Sequence, residues 1–272
     1  MPVLTTQQNS NISLVSHLKE VVELDRMRER PVIKYVRENF FEELAEKFSK
    51  KRTSPLFIAA TGESASGKST FTKAVASQIK SVETLLNRSL LEFVSADNYF
   101  NDISDKIKLY GSFDNFLANE DYNPDAPTSF NLKLFRQNVL DLKNNIDVLI
   151  PEYKVNGSGI SVPNAIKIKC SPIILIEGVA VLYEEVRDLF DIKFYVEVDE
   201  KIRKERYILR AIEKRGQNEE DTLKQYEIVN ASAQKYIVPQ REHADVIING
   251  DAGIENFSNL ARELIMKTWL HM

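Results

Sequence analysis

Apolar side chains recur along this chain at two different spacings, and the change from one to the other divides it. Leu14, Leu18, Val21 and Val22 stand three and four positions apart, which aligns them on one face of a helix. Pro31 interrupts that run. Val32, Ile33, Val36, Phe40, Phe41, Leu44 and Phe48 then predict a second amphipathic helix, closing on the basic run Lys50, Lys51 and Arg52. Cations there suit the negative end of a helix dipole, which favours capping over a binding patch. Residues 1–11 are polar and are expected to fray.

Beyond residue 53 the rhythm shortens to apolar runs separated by helix-compatible stretches. Residues 56–61, 90–95, 173–177, 193–198 and 244–249 predict strands, and their alternation with helices predicts a doubly wound parallel sheet, an α/β fold. Between positions 147 and 169 a glycine-containing turn joins two runs rich in Val, Ile and Tyr, which predicts a β-hairpin projecting from that sheet.

Composition narrows the class. Of 272 residues, 43% are hydrophobic and 28% charged, enough apolar material to bury a core in one large domain with an appendage. A formal charge of −4 supplies no basic field for a nucleic-acid backbone or anionic lipid, so neither partner is expected. Cys170 is the single cysteine, which excludes an internal disulfide and suits a reducing compartment. No apolar run reaches the length that spans a bilayer and the first 30 residues lack a signal-like pattern, so a cytoplasmic protein is expected.

The segment Gly62, Glu63, Ser64, Ala65, Ser66, Gly67, Lys68, Ser69 and Thr70 satisfies the pattern G-x-x-x-x-G-K-[ST]. Chance yields that pattern in a chain this long about once in a hundred. Context lowers the odds further, because an apolar strand precedes the segment and a helical run follows it. Glycines let successive N–H groups and a helix N-terminus converge on phosphate oxygens. Lys68 then bridges the outer phosphates and Ser69 ligates Mg²⁺. No N-K-x-D guanine-reading sequence is present, so ATP is the expected nucleotide.

Around this loop the chain resembles the uridine and cytidine kinase family, related to phosphoribulokinase and one pantothenate kinase class. The resemblance covers residues 55–272 and runs through GESASGKST, SADNYF at 95–100, NPDA at 123–126, PEY at 151–153, IILIEGV at 173–179, DLFDIKFYVEVD, LRAIEKRG and ADVIING. It implies a P-loop kinase domain at 55–272 with a hairpin at about 148–169 and a helical lid at about 203–236, behind an N-terminal helical extension at 1–54. It implies that Asp97 accepts or orients the proton of the attacking hydroxyl, with capping of its own turn as the other reading. It implies that Glu177 holds Mg²⁺ with Ser69, with a lysine pair as the other reading. Lid arginines Arg210 and Arg215 would close over the triphosphate beside Lys68. Arg203 and Arg206 are open between that role and a solvated helix face. Acceptor contacts are expected from Phe100, Asp121, Tyr122, Tyr153, Ser158 and Gln225.

The pattern departs from the family at the acceptor side. The hairpin Tyr153 is followed by Lys154, Val155, Asn156, Gly157 and Ser158, where the family carries a histidine and an arginine; Ser158 stands where the histidine would be. Asp121 and Tyr122 reverse the family's aromatic–aspartate order, and Gln217 replaces a lid arginine. The expected activity is ATP-dependent phosphoryl transfer to a hydroxyl of a small metabolite, first a nucleoside. Other small alcohols or sugar phosphates, or a non-catalytic ATP-binding regulator, stay open. The N-terminal stripes are expected to pack on the chain's own core, with a contact between copies as the second reading.

Overall fold

A computed structural model describes residues 6–49, 54–154, 156–215 and 218–269. The chain opens with α1 (Thr6–Arg26), β1 (Ile33–Val36) and α2 (Phe40–Ser49), followed by β2 (Leu56–Thr61), α3 (Lys68–Leu86) and β3 (Leu91–Ser95). Two short helices, α4 (Ser104–Tyr110) and α5 (Phe113–Asn119), lead to α6 (Leu132–Lys143). The hairpin strands are β4 (Val148–Tyr153) and β5 (Ser161–Ile168), and the sheet resumes with β6 (Ile173–Glu177) and β7 (Ile192–Glu197). Helices α7 (Glu200–Arg215) and α8 (Glu219–Tyr236), strand β8 (Val246–Asn249) and α9 (Ile254–Trp269) complete it.

Six strands form one sheet in the order β1-β8-β7-β2-β6-β3. The five that sequence predicts are mutually parallel, with Ala60 beside Glu177 and Ser95 beside Glu177 in register. Strand β2 is central, and all but its first residue are buried, which suits a run with no polar alternation until Thr61. The carboxyl ends of β2, β3 and β6 therefore meet on one edge, where ligands of such sheets bind. Strands β4 and β5 form a separate two-stranded sheet whose Val148, Ile150 and Ile168 pack into the core on one face of the main sheet.

The sixth strand corrects the sequence reading. Residues 32–48 do not form one helix: Ile33–Val36 pairs antiparallel with β8, Ile33 opposite Ile248 and Val36 opposite Val246, and only Phe40–Ser49 is helical. The reason is tertiary. The fully buried Asp25 carboxylate accepts the N–H groups of Val32 at 2.9 Å and Ile33 at 2.7 Å, which holds the chain extended as it meets the open edge of β8. The basic run at 50–52 lies outside the described residues, as do Met1–Thr5; Thr6–Asn11, expected to fray, are within α1.

Leu14, Leu18, Val21 and Val22 are buried in one cluster with Phe71 and Ala74 of α3, Val196 and Ile248 of the sheet, and Phe257 of α9. Phe71 sets the position of α3 by edge contacts with Phe194, centroids 5.2 Å apart, and Phe257, 5.5 Å apart. The opposite face of the sheet packs Phe57, Val94, Ile174 and Ile176 against Phe135 and Val139 of α6 and the hairpin residue Ile150.

Candidate active site

Residues 62–67 turn the chain from β2 into α3. Gly67, at φ +98°, caps α3 in a left-handed conformation that a side chain would strain. Its backbone lies so close to the turn after β8 that a Cβ would stand 2.7 Å from Gly250 O. Ser66 N–H donates to Glu63 O at 3.1 Å and tightens the curl. The unpaired N–H groups at the head of α3 thus face the carboxyl edge of the sheet, an arrangement suited to anionic oxygens. Lys68 and Ser69 occupy the first positions of that helix.

Asp97 lies in a tight turn, Ala96–Tyr99, directly after β3. Ser95 supplies the cap there: its hydroxyl accepts Asp97 N–H at 3.3 Å, and the Asp97 carboxylate makes no hydrogen bond among the described residues. The carboxylate is packed over Gly178, where a Cβ would meet Ala96 Cβ at 2.7 Å and Asp97 Oδ1 at 3.3 Å. Burial pushes its pKa up; the Lys68 ammonium opposes this, while Glu177 and Asp125 add to it.

Glu177 ends β6. Its Oε1 accepts from Ser69 Oγ at 3.2 Å and its Oε2 from Thr72 Oγ1 at 3.3 Å, and it forms no ion pair among the described residues. A hydroxyl and a carboxylate together at the head of α3 are hard oxygen donors, and a magnesium ion takes few protein ligands when it also binds phosphates and water, so the pair fits that ion.

Asp125, of the NPDA segment, is a third carboxylate of this group that the sequence analysis did not name. Burial raises its pKa, a hydrogen bond from Ser232 lowers it, and it shares the Lys68 field with Asp97. Its motif was visible; nothing in a single sequence tells which NPDA side chain turns inward.

On the acceptor side the rings of Phe100 and Tyr153 lie 5.0 Å apart, with Phe130 stacked on Phe100 at 4.2 Å. Tyr153 N–H donates to Asn98 Oδ1 at 3.3 Å, which ties the hairpin to the Asp97 turn. Burial, with Tyr122, Asp102 and Asp97 nearby, pushes the Tyr153 hydroxyl up to about 12. Tyr122 is half-buried, 5.1 Å from the Phe116 ring, while Asp121 is exposed. Ser158 lies at the hairpin tip, where its hydroxyl accepts Ile160 N–H at 3.4 Å and serves the turn itself. Gln225 is half-buried on α8.

The lid arginines separate. Arg203 is not on a solvated face: it is 2% exposed, 3.1 Å from Glu63 Oε1 of the phosphate loop, and its guanidinium lies 5.3 Å over the Tyr226 ring. Arg206 reaches Gly250 O at 3.0 Å and Asp251 Oδ1 at 2.6 Å. Arg210 is exposed on α7. Gln217 and the side chain of Arg215 lie outside the described residues.

A cavity of about 760 Å³ lies elsewhere, between α1, α2, α3 and α9; among the described residues its lining is apolar but for a few polar groups and Arg88. No helix among the described residues is long and apolar enough to cross a membrane.

Comparison with known proteins identifies the family. The model of the phosphoribulokinase/uridine kinase family matches residues 57–252. A uridine kinase of Limosilactobacillus reuteri (strain DSM 20016) is 28% identical over 219 residues, spanning 78% of this chain and 93% of its own. A uridine kinase of Ligilactobacillus salivarius (strain UCC118) is 32% identical over 202 residues, 73% of this chain and 86% of its own. Among solved structures, a Silicibacter sp. TM1040 protein assigned as a fructose transport system kinase matches with a TM-score of 0.54 at 19% identity, covering 76% of this chain and 95% of that one. That last likeness is one of fold.

Proposed function

The chain belongs to the phosphoribulokinase/uridine kinase family, a family of small-molecule kinases, and from that premise we propose that it moves the γ-phosphoryl group of ATP to a hydroxyl of a nucleoside. The observation that carries this reading is the Asp97 carboxylate, hydrogen-bonded to nothing in its own turn, in the field of Lys68 and beside the Phe100–Tyr153 aromatic wall. That wall is the kind of surface on which a planar base packs.

In this mechanism the phosphate loop and the head of α3 hold the β-phosphate, and Lys68 follows the γ-phosphoryl group. Asp97 accepts the proton of the acceptor hydroxyl as its oxygen bonds to phosphorus; the bond between phosphorus and the β,γ-bridging oxygen breaks, and ADP leaves. Ser69 and Glu177 would hold magnesium, which when bound neutralises charge on the β- and γ-oxygens. Arg210 and Arg215 are assigned to the closed lid, where they would face the transferring group and help exclude water. Phe100, Tyr122, Tyr153 and Gln225 are assigned to the acceptor side.

One observation favours a second acceptor class. Ser158, at the position of the family's acceptor-reading histidine, uses its hydroxyl to close the hairpin turn, so a pyrimidine gains no contact from it there. A kinase of another polyhydroxylated metabolite is the reading this favours. ADP release from ATP and Mg²⁺, assayed with nucleosides, sugar phosphates and small alcohols, decides between them. Turnover on a nucleoside supports the first reading; turnover confined to another class supports the second, and none on any alcohol overturns the kinase reading.

A further inference from the structure

Three arginines of α7, Arg203, Arg206 and Arg210, stand three and then four positions apart and so share one stripe of that helix. Each meets different surroundings. Arg203 is buried, its Nη2 3.1 Å from Glu63 Oε1 of the phosphate loop and donating to Asn230 Oδ1 of α8. Arg206, one turn on, donates to Gly250 O at 3.0 Å and lies 2.6 Å from Asp251 Oδ1. Arg210, two turns from Arg203, is exposed.

The first two contacts both end on the phosphate loop. Glu63 is its second residue, and Gly250 packs so closely behind it that a Cβ there would fall 1.7 Å from Ser66 O. The root of α7 is thus fixed to the loop at two points, one direct and one through the turn after β8.

The direct contact is a costly way to join two elements. Glu63 Oε1 and Arg203 Nη1 are buried without a hydrogen bond among the described residues, so the 3.1 Å approach brings opposite charges together and leaves both groups short of partners. Apolar side chains of the same volume would pack there at less cost; what an ion pair adds is one preferred register between the elements that carry it. Register matters at this place. A helix rises about 1.5 Å per residue, and a displacement near 1 Å is enough to spoil a catalytic contact, so any slip of α7 carries Arg210 out of reach.

We propose that Arg203, through Glu63, is a positioning residue that sets the register of α7 on the phosphate loop and so places Arg210 against the γ-phosphoryl group. The inference rests on the kinase reading above, in which Arg210 faces that group, and names what puts it there.

The test uses the full chain and needs no acceptor. Calorimetry with Mg²⁺ measures affinity for ADP and for a non-hydrolysable ATP analogue, and the ratio of the two isolates contacts to the γ-phosphate. The proteins are wild type, Arg210→Ala, Arg203→Met, Arg203→Met/Arg210→Ala, and Glu63→Met/Arg203→Met, in which both buried charges are removed. One hydrogen bond to a charged group corresponds to a factor of about 10 to 100. Arg210→Ala and Arg203→Met are each expected to lower the preference for the triphosphate by a factor in that range. Combined, they should lower it no further than Arg210→Ala alone, because the same contact is lost once. Glu63→Met/Arg203→Met should melt above Arg203→Met yet keep the reduced preference, which a purely structural pair would not do.

A full wild-type preference in Glu63→Met/Arg203→Met overturns the proposal. Losses that add in Arg203→Met/Arg210→Ala overturn it too, as does a preference unmoved by Arg210→Ala. Should Arg203→Met fail to fold, Glu63→Met/Arg203→Met with and without Arg210→Ala carries the same comparison. If no alcohol of the panel is phosphorylated by wild type, the kinase reading falls, and the nucleotide ratio still decides the role of Arg203 separately.

Discussion

Nη2 of Arg203, in the first lid helix, lies 3.1 Å from Oε1 of Glu63, in the phosphate loop, and both side chains are buried. Burial raises the Glu63 pKa and Arg203 opposes it, so the pair holds a charge that would otherwise be costly. Removing one partner leaves the other uncompensated. Glu63→Ala is expected to lower stability by about 3–5 kcal/mol. Replacing both by apolar residues of similar volume should recover much of that. Urea unfolding of the two variants checks it; equal loss in both would mean the pair contributes nothing beyond packing.

Lys68→Ala should abolish phosphoryl transfer in a protein that still folds, because the charge that follows the γ-phosphoryl group is gone. Turnover near the wild-type value, in a variant with an unchanged melting curve, would refute the assignment of the phosphate loop.

Asp97→Asn is expected to lower kcat by about two to four orders of magnitude with little change in ATP affinity, the scale of positioned base catalysis. Its effect on stability has the opposite sign. Burial raises the folded-state pKa of Asp97 above the unfolded value, so the folded state binds the proton more tightly. Stability from this group is present below the ordinary carboxylate pKa and lost as pH rises through the raised one. Activity rises over the same interval, as the base is freed. At neutral pH, Asp97→Asn should therefore melt above wild type while turning over far more slowly. A lower melting temperature would show that the carboxylate is held by contacts that favour its charged form.

Gly250 lies outside the phosphate loop, yet a Cβ on it would fall 1.7 Å from Ser66 O. Gly250→Ala should displace the loop and weaken ATP binding by about tenfold or more, as binding geometry is lost by shifts near 1 Å. Titration with a fluorescent ATP analogue measures this, and unchanged affinity would mean the loop accommodates the methyl group by moving elsewhere.

Which of these features a single sequence discloses depends on how local their causes are. Strands β2 and β6 are legible because a buried parallel strand is a nearly continuous apolar run, and the phosphate loop because its glycines stand at fixed spacing. Strand β1 is not legible. Val32, Ile33, Val36 and Phe40 satisfy helical spacing, and what makes the first of them extended is Asp25 and the open edge of β8, both remote in sequence. Arg203 reads as one more cation on a polar helix, since its partners Glu63 and Tyr226 come from separate segments. Asp125 lies in the NPDA run, but its side chain is held by Ser232, over a hundred positions downstream.

The pairing of β1 with β8 also bears on how the molecule is made. Asn249 donates to Pro31 O at 3.0 Å across 218 positions of chain, so the outer edge of the sheet cannot close until the chain as far as Asn249 has left the ribosome. At about 5–20 residues per second, the apolar faces of α1 and α2 wait on the order of ten seconds or more for their partners. A contact of such long range is also slow to form. Chaperone dependence during synthesis should accordingly trace to these N-terminal helices.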